Sequence, residues 1–264
     1  MEERIRISIG TEPKQWIASQ VLKHSILTRT NAFVEFTTSW DPAREWHPKF
    51  NSNEKLSKRG TAFNTWRWLL PKVYGGSGKV IYLDADQLVL TDIRELWDSI
   101  PPGFCMAAVI NAEGIFGRNK VPEKNCTQTS VMVLNLDYCT WSYSSLIKRV
   151  NKNDGSFRQY CIDHCRNNCK SDYAALMQAG WIPKQEIHEL DPGWNHFGIV
   201  NGRTKLIHWS HVASQPYKNP DHGTAYLFEE ALKSAVDDRY ILPNHVELEI
   251  EKGHLHKHYA KVIK

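Results

Sequence analysis

One stretch limits the fold more than any other: Lys79-Val80-Ile81-Tyr82-Leu83-Asp84-Ala85-Asp86-Gln87-Leu88-Val89-Leu90. Val80 to Leu83 reads as a buried strand, the continuous apolar kind found inside α/β sheets. Acids at i and i+2 point the same way while the backbone stays extended. Close together at the end of a buried strand, they repel unless a cation lies between them. A hard divalent ion such as Mn²⁺ or Mg²⁺ takes oxygen ligands and meets that demand. The plain alternative is an exposed strand-to-turn junction with two capping aspartates. Apolar flanks on both sides argue against it, because buried acids make little sense for stability alone. In open α/β sheets ligands gather beyond the carboxyl ends of strands. A metal there can hold a diphosphate and neutralise its charge.

The rest of the chain supplies a sheet for that strand. Arg4 to Gly10 alternates with period two and predicts a strand. Thr11 is the expected N-cap and Pro13 sits near N1 of a helix over about 14–28. Ala32 to Phe36 predicts a second strand, so the opening is a βαβ unit. A polar excursion over 38–59 follows, then a helix over 61–74 that Pro71 should end or kink. Gly75-Gly76-Ser77-Gly78 precedes a strand and reads as a turn, not a phosphate loop. Further strands are expected at 104–110, 130–136 and 205–209, and helices at 91–97, 142–150, 156–168, 172–179 and 224–236. No repeat or linker separates two domains. We expect one domain over 1–264, with a core at about 4–217 and a C-terminal helix and tail at 218–264.

Composition excludes other classes. The chain has 264 residues, with 33 Lys and Arg against 29 Asp and Glu. That mild balance gives no reason to expect nucleic acid as a partner. Ten Trp, ten Tyr and nine Phe argue against disorder. No apolar run is long enough for a transmembrane helix, and MEERIRISIG is not the pattern of a signal peptide. The expectation is therefore a cytoplasmic protein with its six cysteines reduced, in which the sequon at Asn125 carries no meaning. Cys161, Cys165 and Cys169 read as small buried residues on one helix face, because a zinc or iron–sulfur site would usually use tighter pairs. His254, His256 and His258 read as a solvated tail.

Lys79 to Leu90, with Thr91-Asp92-Ile93-Arg94-Glu95-Leu96-Trp97 behind it, closely resembles the metal-site region of family 8 glycosyltransferases, the retaining family of glycogenin and bacterial lipopolysaccharide galactosyltransferases. Other stretches follow in the family's order. Ser8 to Thr11 resembles the opening strand that holds the uracil base, and Phe63-Asn64-Thr65-Trp66-Arg67 the helix whose Arg reaches the donor. Gln128 to Asn135 resembles the strand that faces the donor sugar. Asp191-Pro192-Gly193-Trp194-Asn195 resembles the segment before the last strand. Ile207-His208-Trp209 with Pro216-Tyr217 resembles the C-terminal motif. The similarity spans about residues 4 to 217. It departs at Ser214-Gln215, where the family has a Lys before its Pro-Trp, and the loop after His208 is one residue longer. It also departs at Lys170-Ser171-Asp172, where only Asp172 matches an acid motif, and at Gln128, which replaces an Asn.

The resemblance implies an α/β, GT-A-type nucleotide-diphospho-sugar transferase fold with a mostly parallel central sheet flanked by helices. It implies a hexosyltransferase-type enzyme (EC 2.4) moving a sugar from a UDP-sugar to a glycan, lipid-linked or protein hydroxyl, with retention. The implied metal ligands for Mn²⁺ or Mg²⁺ are Asp84, Asp86 and His208, with His211 as the fallback. Donor-binding residues would be Gly10, Thr11, Arg67, Asp84, Ala85, Asp86, Gln128, Trp194 and Asn195. Asp172 and Gln128 would be catalytic, holding sugar hydroxyls. The rival reading is a non-catalytic nucleotide-sugar or glycan-binding protein on the same fold, motivated by the missing Lys and the thinned acid motif.

Overall fold

The computed structural model describes residues 3–50, 61–115, 122, 125–165 and 167–263. The alternating opening forms β1 (Ile5–Gly10), with Ile5, Ile7 and Ile9 fully buried. A 3-10 turn at Pro13–Gln15 leads into α1 (Trp16–Leu27), and β2 (Val34–Thr38) returns parallel to β1. Thr11 does not cap the helix. The turn starts from Glu12 without a side-chain cap, and Thr11 instead exchanges two backbone bonds with the Ser39 hydroxyl. A two-residue hairpin, β3 (Trp40–Asp41) and β4 (Glu45–Trp46), begins the polar excursion. That excursion is described to residue 50, and its remainder, 51–59, lies outside the described residues. Then α2 (Trp66–Val73) contains Pro71 near its end, and glycines 75, 76 and 78 take positive φ in the turn that follows.

Next come β5 (Lys79–Asp84), β6 (Gln87–Val89), α3 (Ile93–Trp97), β7 (Met106–Val109) and β8 (Gln128–Asn135). They are followed by α4 (Tyr143–Asn151), α5 (Ser156–Cys165), α6 (Asp172–Met177), β9 (Ile187–Glu189), β10 (His196–Phe197) and β11 (Leu206–His208). The main sheet has the order β2-β1-β5-β8-β7-β9. Its pairs β2-β1, β1-β5 and β7-β9 are parallel, and β8 runs antiparallel to both neighbours. This is the mostly parallel α/β sheet expected.

Pleat alternation sorts the central side chains. Val80 and Tyr82 of β5, with Met132 and Leu134 of β8, enter one apolar cluster with Trp66 and Trp68. Ile81, Leu83, Val131 and Val133 enter the cluster on the other face with Ile7, Ile9 and Trp97. A third cluster joins α1 to the C-terminal helices α7 (Ala225–Asp237) and α8 (Pro243–Glu251) and the 3-10 segment Lys257–Ile263. Phe228, Leu232 and Tyr259 are buried there against Trp209 and Tyr217. Each such side chain contributes about 1.5–3 kcal/mol of apolar burial. The histidine-rich end is therefore not a solvated tail, since Leu255, Tyr259 and Val262 dock on the core.

A second, three-stranded sheet, β10-β11-β6, decides where the site lies. The chain leaves the main sheet at Asp84 and enters the small sheet at Gln87. Asp84-Ala85-Asp86 is the crossing between the two.

Candidate active site

Register builds the site around that crossing. Gly10 pairs with Asp84, and the Ala85 amide donates to the Gly10 carbonyl at 3.0 Å. On the other side β11 runs antiparallel to β6 with His208 opposite Gln87, and the Trp209 amide donates to the Asp86 carbonyl at 2.9 Å. His208 is thereby brought next to the acid pair from 122 residues later in the chain (208 − 86 = 122). One donor atom from each of Asp84, Asp86 and His208 lies within 4.8 Å of the others.

Each of the three is held at one atom and left open at another. Asp84 Oδ1 accepts from Arg67 Nη2 at 2.8 Å and from the Tyr82 hydroxyl at 2.5 Å. Arg67 is buried, with its guanidinium 4.6 Å from the Tyr82 ring centroid and Nη1 donating to Thr129 Oγ1 at 2.9 Å. Asp86 Oδ2 accepts from Gln215 Nε2 at 2.8 Å, and its Oδ1 lies 3.4 Å from His208 Nε2. Nδ1 of His208 meets Asn195 Oδ1 at 3.0 Å, while Asn195 Nδ2 donates to Ser130 Oγ at 3.0 Å. With Asn195 turned to satisfy Ser130, its carbonyl oxygen accepts from Nδ1–H. The Nε2 lone pair then faces a carboxylate oxygen, an arrangement that asks for a positive charge between them.

The electrostatics ask for the same thing. Burial pushes the Asp84 carboxyl above the usual carboxylate range, Arg67 pulls it down, and Asp86 pushes it up again. For Arg67 burial opposes the charge most strongly, but Asp84 together with Tyr82 and Tyr173 more than offsets it. Two carboxylates and a neutral imidazole suit Mn²⁺ or Mg²⁺. The site opens into a cavity of about 690 Å³, a size that takes an organic ligand of some tens of atoms.

Several expected site residues meet in that cavity. Arg67, Asp84, Asp86, Gln128, His208 and His211 all line it. Gln128 donates from Nε2 to the Cys126 carbonyl at 3.3 Å. Ala85 is fully buried and takes part through its backbone. Gly10 lies behind the lining, where an added Cβ would fall 2.2 Å from the Tyr82 hydroxyl and 2.6 Å from Phe63. Thr11 is likewise buried outside the lining.

Four expected residues lie outside the three-ligand cluster. Asp172 is 2% exposed and outside the lining, and its two oxygens accept from the Gly155 amide at 2.9 Å and the Arg158 amide at 2.6 Å. It caps the start of α5 from the neighbouring helix. Trp194 packs into the core with Leu206 and does not offer a face to the cavity. Asn195 is fully buried behind His208, outside the cavity lining. His211 sits on the rim outside the three-ligand cluster, its Nδ1 accepting from the Ala213 amide at 3.1 Å. Four of the residues that hold the site escape a reading of the sequence: Tyr82, Thr129, Ser130 and Gln215. Only Tyr82 carries a local signal, two residues before Asp84 on the same face of the strand.

The family model for glycosyl transferase family 8 matches residues 14–218. Protein CDI of Arabidopsis thaliana is 31% identical over 209 residues, covering 76% of this chain and 71% of that protein. Probable galacturonosyltransferase 12 of Arabidopsis thaliana is 26% identical over 167 residues, covering 58% of this chain and 29% of that protein. Among solved structures, the galactosyltransferase LgtC in complex with donor and acceptor sugar analogs superposes with a TM-score of 0.59 at 14% identity, over 87% of this chain and 96% of that one. The chain belongs to glycosyl transferase family 8. It is a glycosyltransferase with the GT-A fold. No helix among the described residues is long and apolar enough to cross a membrane.

Proposed function

We propose that this chain is a single glycosyltransferase domain that moves a sugar from a UDP-sugar to an acceptor hydroxyl, on a glycan, lipid-linked or protein acceptor, with retention of anomeric configuration. The observation that carries the reading is the convergence of Asp84, Asp86 and His208 at the wall of the large cavity. Asp84, Asp86 and His208 Nε2 would hold Mn²⁺ or Mg²⁺. When bound, the ion supplies Lewis-acid neutralisation of the leaving diphosphate. Arg67 holds Asp84 in place and puts a fixed positive charge on the cavity wall, where negative charge develops as the nucleotide departs. Gln128 presents an amide that both donates to and accepts from sugar hydroxyls. The name of the galacturonosyltransferase relative and the donor and acceptor sugar analogs bound to LgtC support sugar transfer, and the resemblance of Ser8 to Thr11 to the strand that holds the uracil base supports UDP as the nucleotide.

A thermal-shift screen of nucleotide sugars with and without Mn²⁺ tests the reading, since ligands of the native state raise its apparent stability. A Mn²⁺-dependent shift with UDP and its sugars is expected. Proton NMR of the first product should show the donor's anomeric configuration. Absence of any nucleotide-dependent shift would overturn the donor assignment, and an inverted first product the stereochemistry.

A further inference from the structure

The loop from Trp209 to Tyr217 reaches back to the acid pair through one side chain. Gln215 is 8% exposed, and its Nε2 donates to Asp86 Oδ2 at 2.8 Å. The other oxygen of that carboxylate faces His208 Nε2. The amide therefore occupies one Asp86 oxygen and leaves the other to the three-residue cluster. We propose that Gln215 is a positioning residue for Asp86, clamped from outside by the C-terminal segment, and not a contact to the diphosphate. This rests on the reading that Asp84, Asp86 and His208 hold a divalent ion.

Two observations support the assignment. The first is anchorage just after Gln215. The Pro216 carbonyl accepts from the Tyr259 hydroxyl at 2.8 Å, and the Tyr217 carbonyl accepts from the His256 amide at 2.8 Å. The Tyr217 hydroxyl accepts from Gln15 Nε2 at 3.2 Å. Tyr217 and Tyr259 are both buried. The backbone that presents Gln215 is thus tied to the start of α1 and to the segment Lys257–Ile263, which lies beyond the end of the family match.

The second is the geometry of the amide. It donates one hydrogen bond to Asp86 Oδ2 and adds no charge beside the carboxylate that faces His208. Outer partners of this kind orient a ligand and tune its affinity for metal.

The test measures Mn²⁺ affinity by electron paramagnetic resonance without nucleotide, and UDP affinity separately, with circular dichroism as the check on folding. Gln215→Met keeps the length and removes the donor. It should weaken Mn²⁺ binding about tenfold and leave metal-free UDP binding unchanged. Tyr259→Phe should weaken Mn²⁺ by about two- to threefold, and it decides the matter if Gln215→Met fails to fold. Unchanged Mn²⁺ affinity in a folded Gln215→Met, with UDP affinity reduced, would make Gln215 a diphosphate contact and overturn the inference. Unchanged affinity in Tyr259→Phe overturns the clamp. A wild-type protein that binds no Mn²⁺ overturns the metal reading, and the inference with it.

Discussion

Asn195 Oδ1 lies 3.0 Å from Nδ1 of His208, with Asn195 fully buried and His208 4% exposed at the cavity. The two are brought together by register. Asn195 ends the 3-10 turn Pro192–Asn195, just before β10 pairs with β11. The pair fixes which imidazole nitrogen carries the proton, and so which one remains for a ligand.

That geometry orders a set of variants. His208→Ala should abolish most of the affinity for Mn²⁺ measured with UDP present. His211→Ala should leave it unchanged. Asn195→Ala should reduce it about ten- to a hundredfold, as expected for loss of the partner that orients a metal-binding histidine. Titration of Mn²⁺ into each variant checks the order, and a larger effect at His211 than at His208 would reverse the assignment.

The two aspartates should separate in stability though not in activity. Arg67 and Asp84 form a pair at 2.8 Å with side chains 5% and 15% exposed. Asp84→Asn strands a buried guanidinium. Breaking a fully buried pair costs about 3–5 kcal/mol, and the partial exposure of Asp84 lowers this to about 2–3 kcal/mol. At about 2–4 °C per kcal/mol, Tm should fall by roughly 4–12 °C. Asp86→Asn keeps an acceptor for Gln215 and should change stability by less than about 1 kcal/mol. Transfer should be lost in both. Calorimetry of the two variants, beside an assay of transfer, tests the contrast.

Chelation should remove activity, and Mn²⁺ should restore it better than Ca²⁺. An imidazole in the donor set favours a transition ion over a larger, harder one. The same titration should raise Tm, because an ion relieves the repulsion between Asp84 and Asp86. At a hundred times its dissociation constant it adds about 2.7 kcal/mol. Full activity in excess EDTA would remove the metal from the mechanism.

Asp172→Ala should behave as a folding variant. Its carboxylate accepts two amides at the start of α5, where the helix dipole also favours a negative charge. Its removal should cost about 2 kcal/mol. Turnover at low temperature should stay within about threefold of wild type. A hundredfold loss of kcat in a folded Asp172→Ala protein would return the residue to the chemistry.

These contrasts mark how far the sequence could be read. The strand from Lys79 to Asp84, its acid pair and the family were legible because apolar flanks around two acids form a local pattern. Asp172 was expected at the sugar, and the sequence could not separate that from capping, because an acid at the start of a helix looks the same in either role. Trp194 and Asn195 were implied together as donor-binding residues, yet the adjacent side chains part, the indole into the core and the amide behind His208. Gln215 was visible only as a missing Lys. Its bond to Asp86 spans 129 residues and exists only once β11 has paired with β6. The end of the chain misled because Tyr259 and Val262 stand three apart in a 3-10 segment, too short for helical periodicity to register.

Gly10 carries a consequence for mutation. Any side chain there would meet the Tyr82 hydroxyl, and that hydroxyl is one of the two donors holding Asp84 Oδ1. A methyl group, the smallest lesion a coding change can make at a glycine, would therefore act on a carboxylate carried by the adjacent strand. The candidate site has a point of fragility outside the cavity lining, and Gly10→Ala should look from activity alone like a substitution of Asp84.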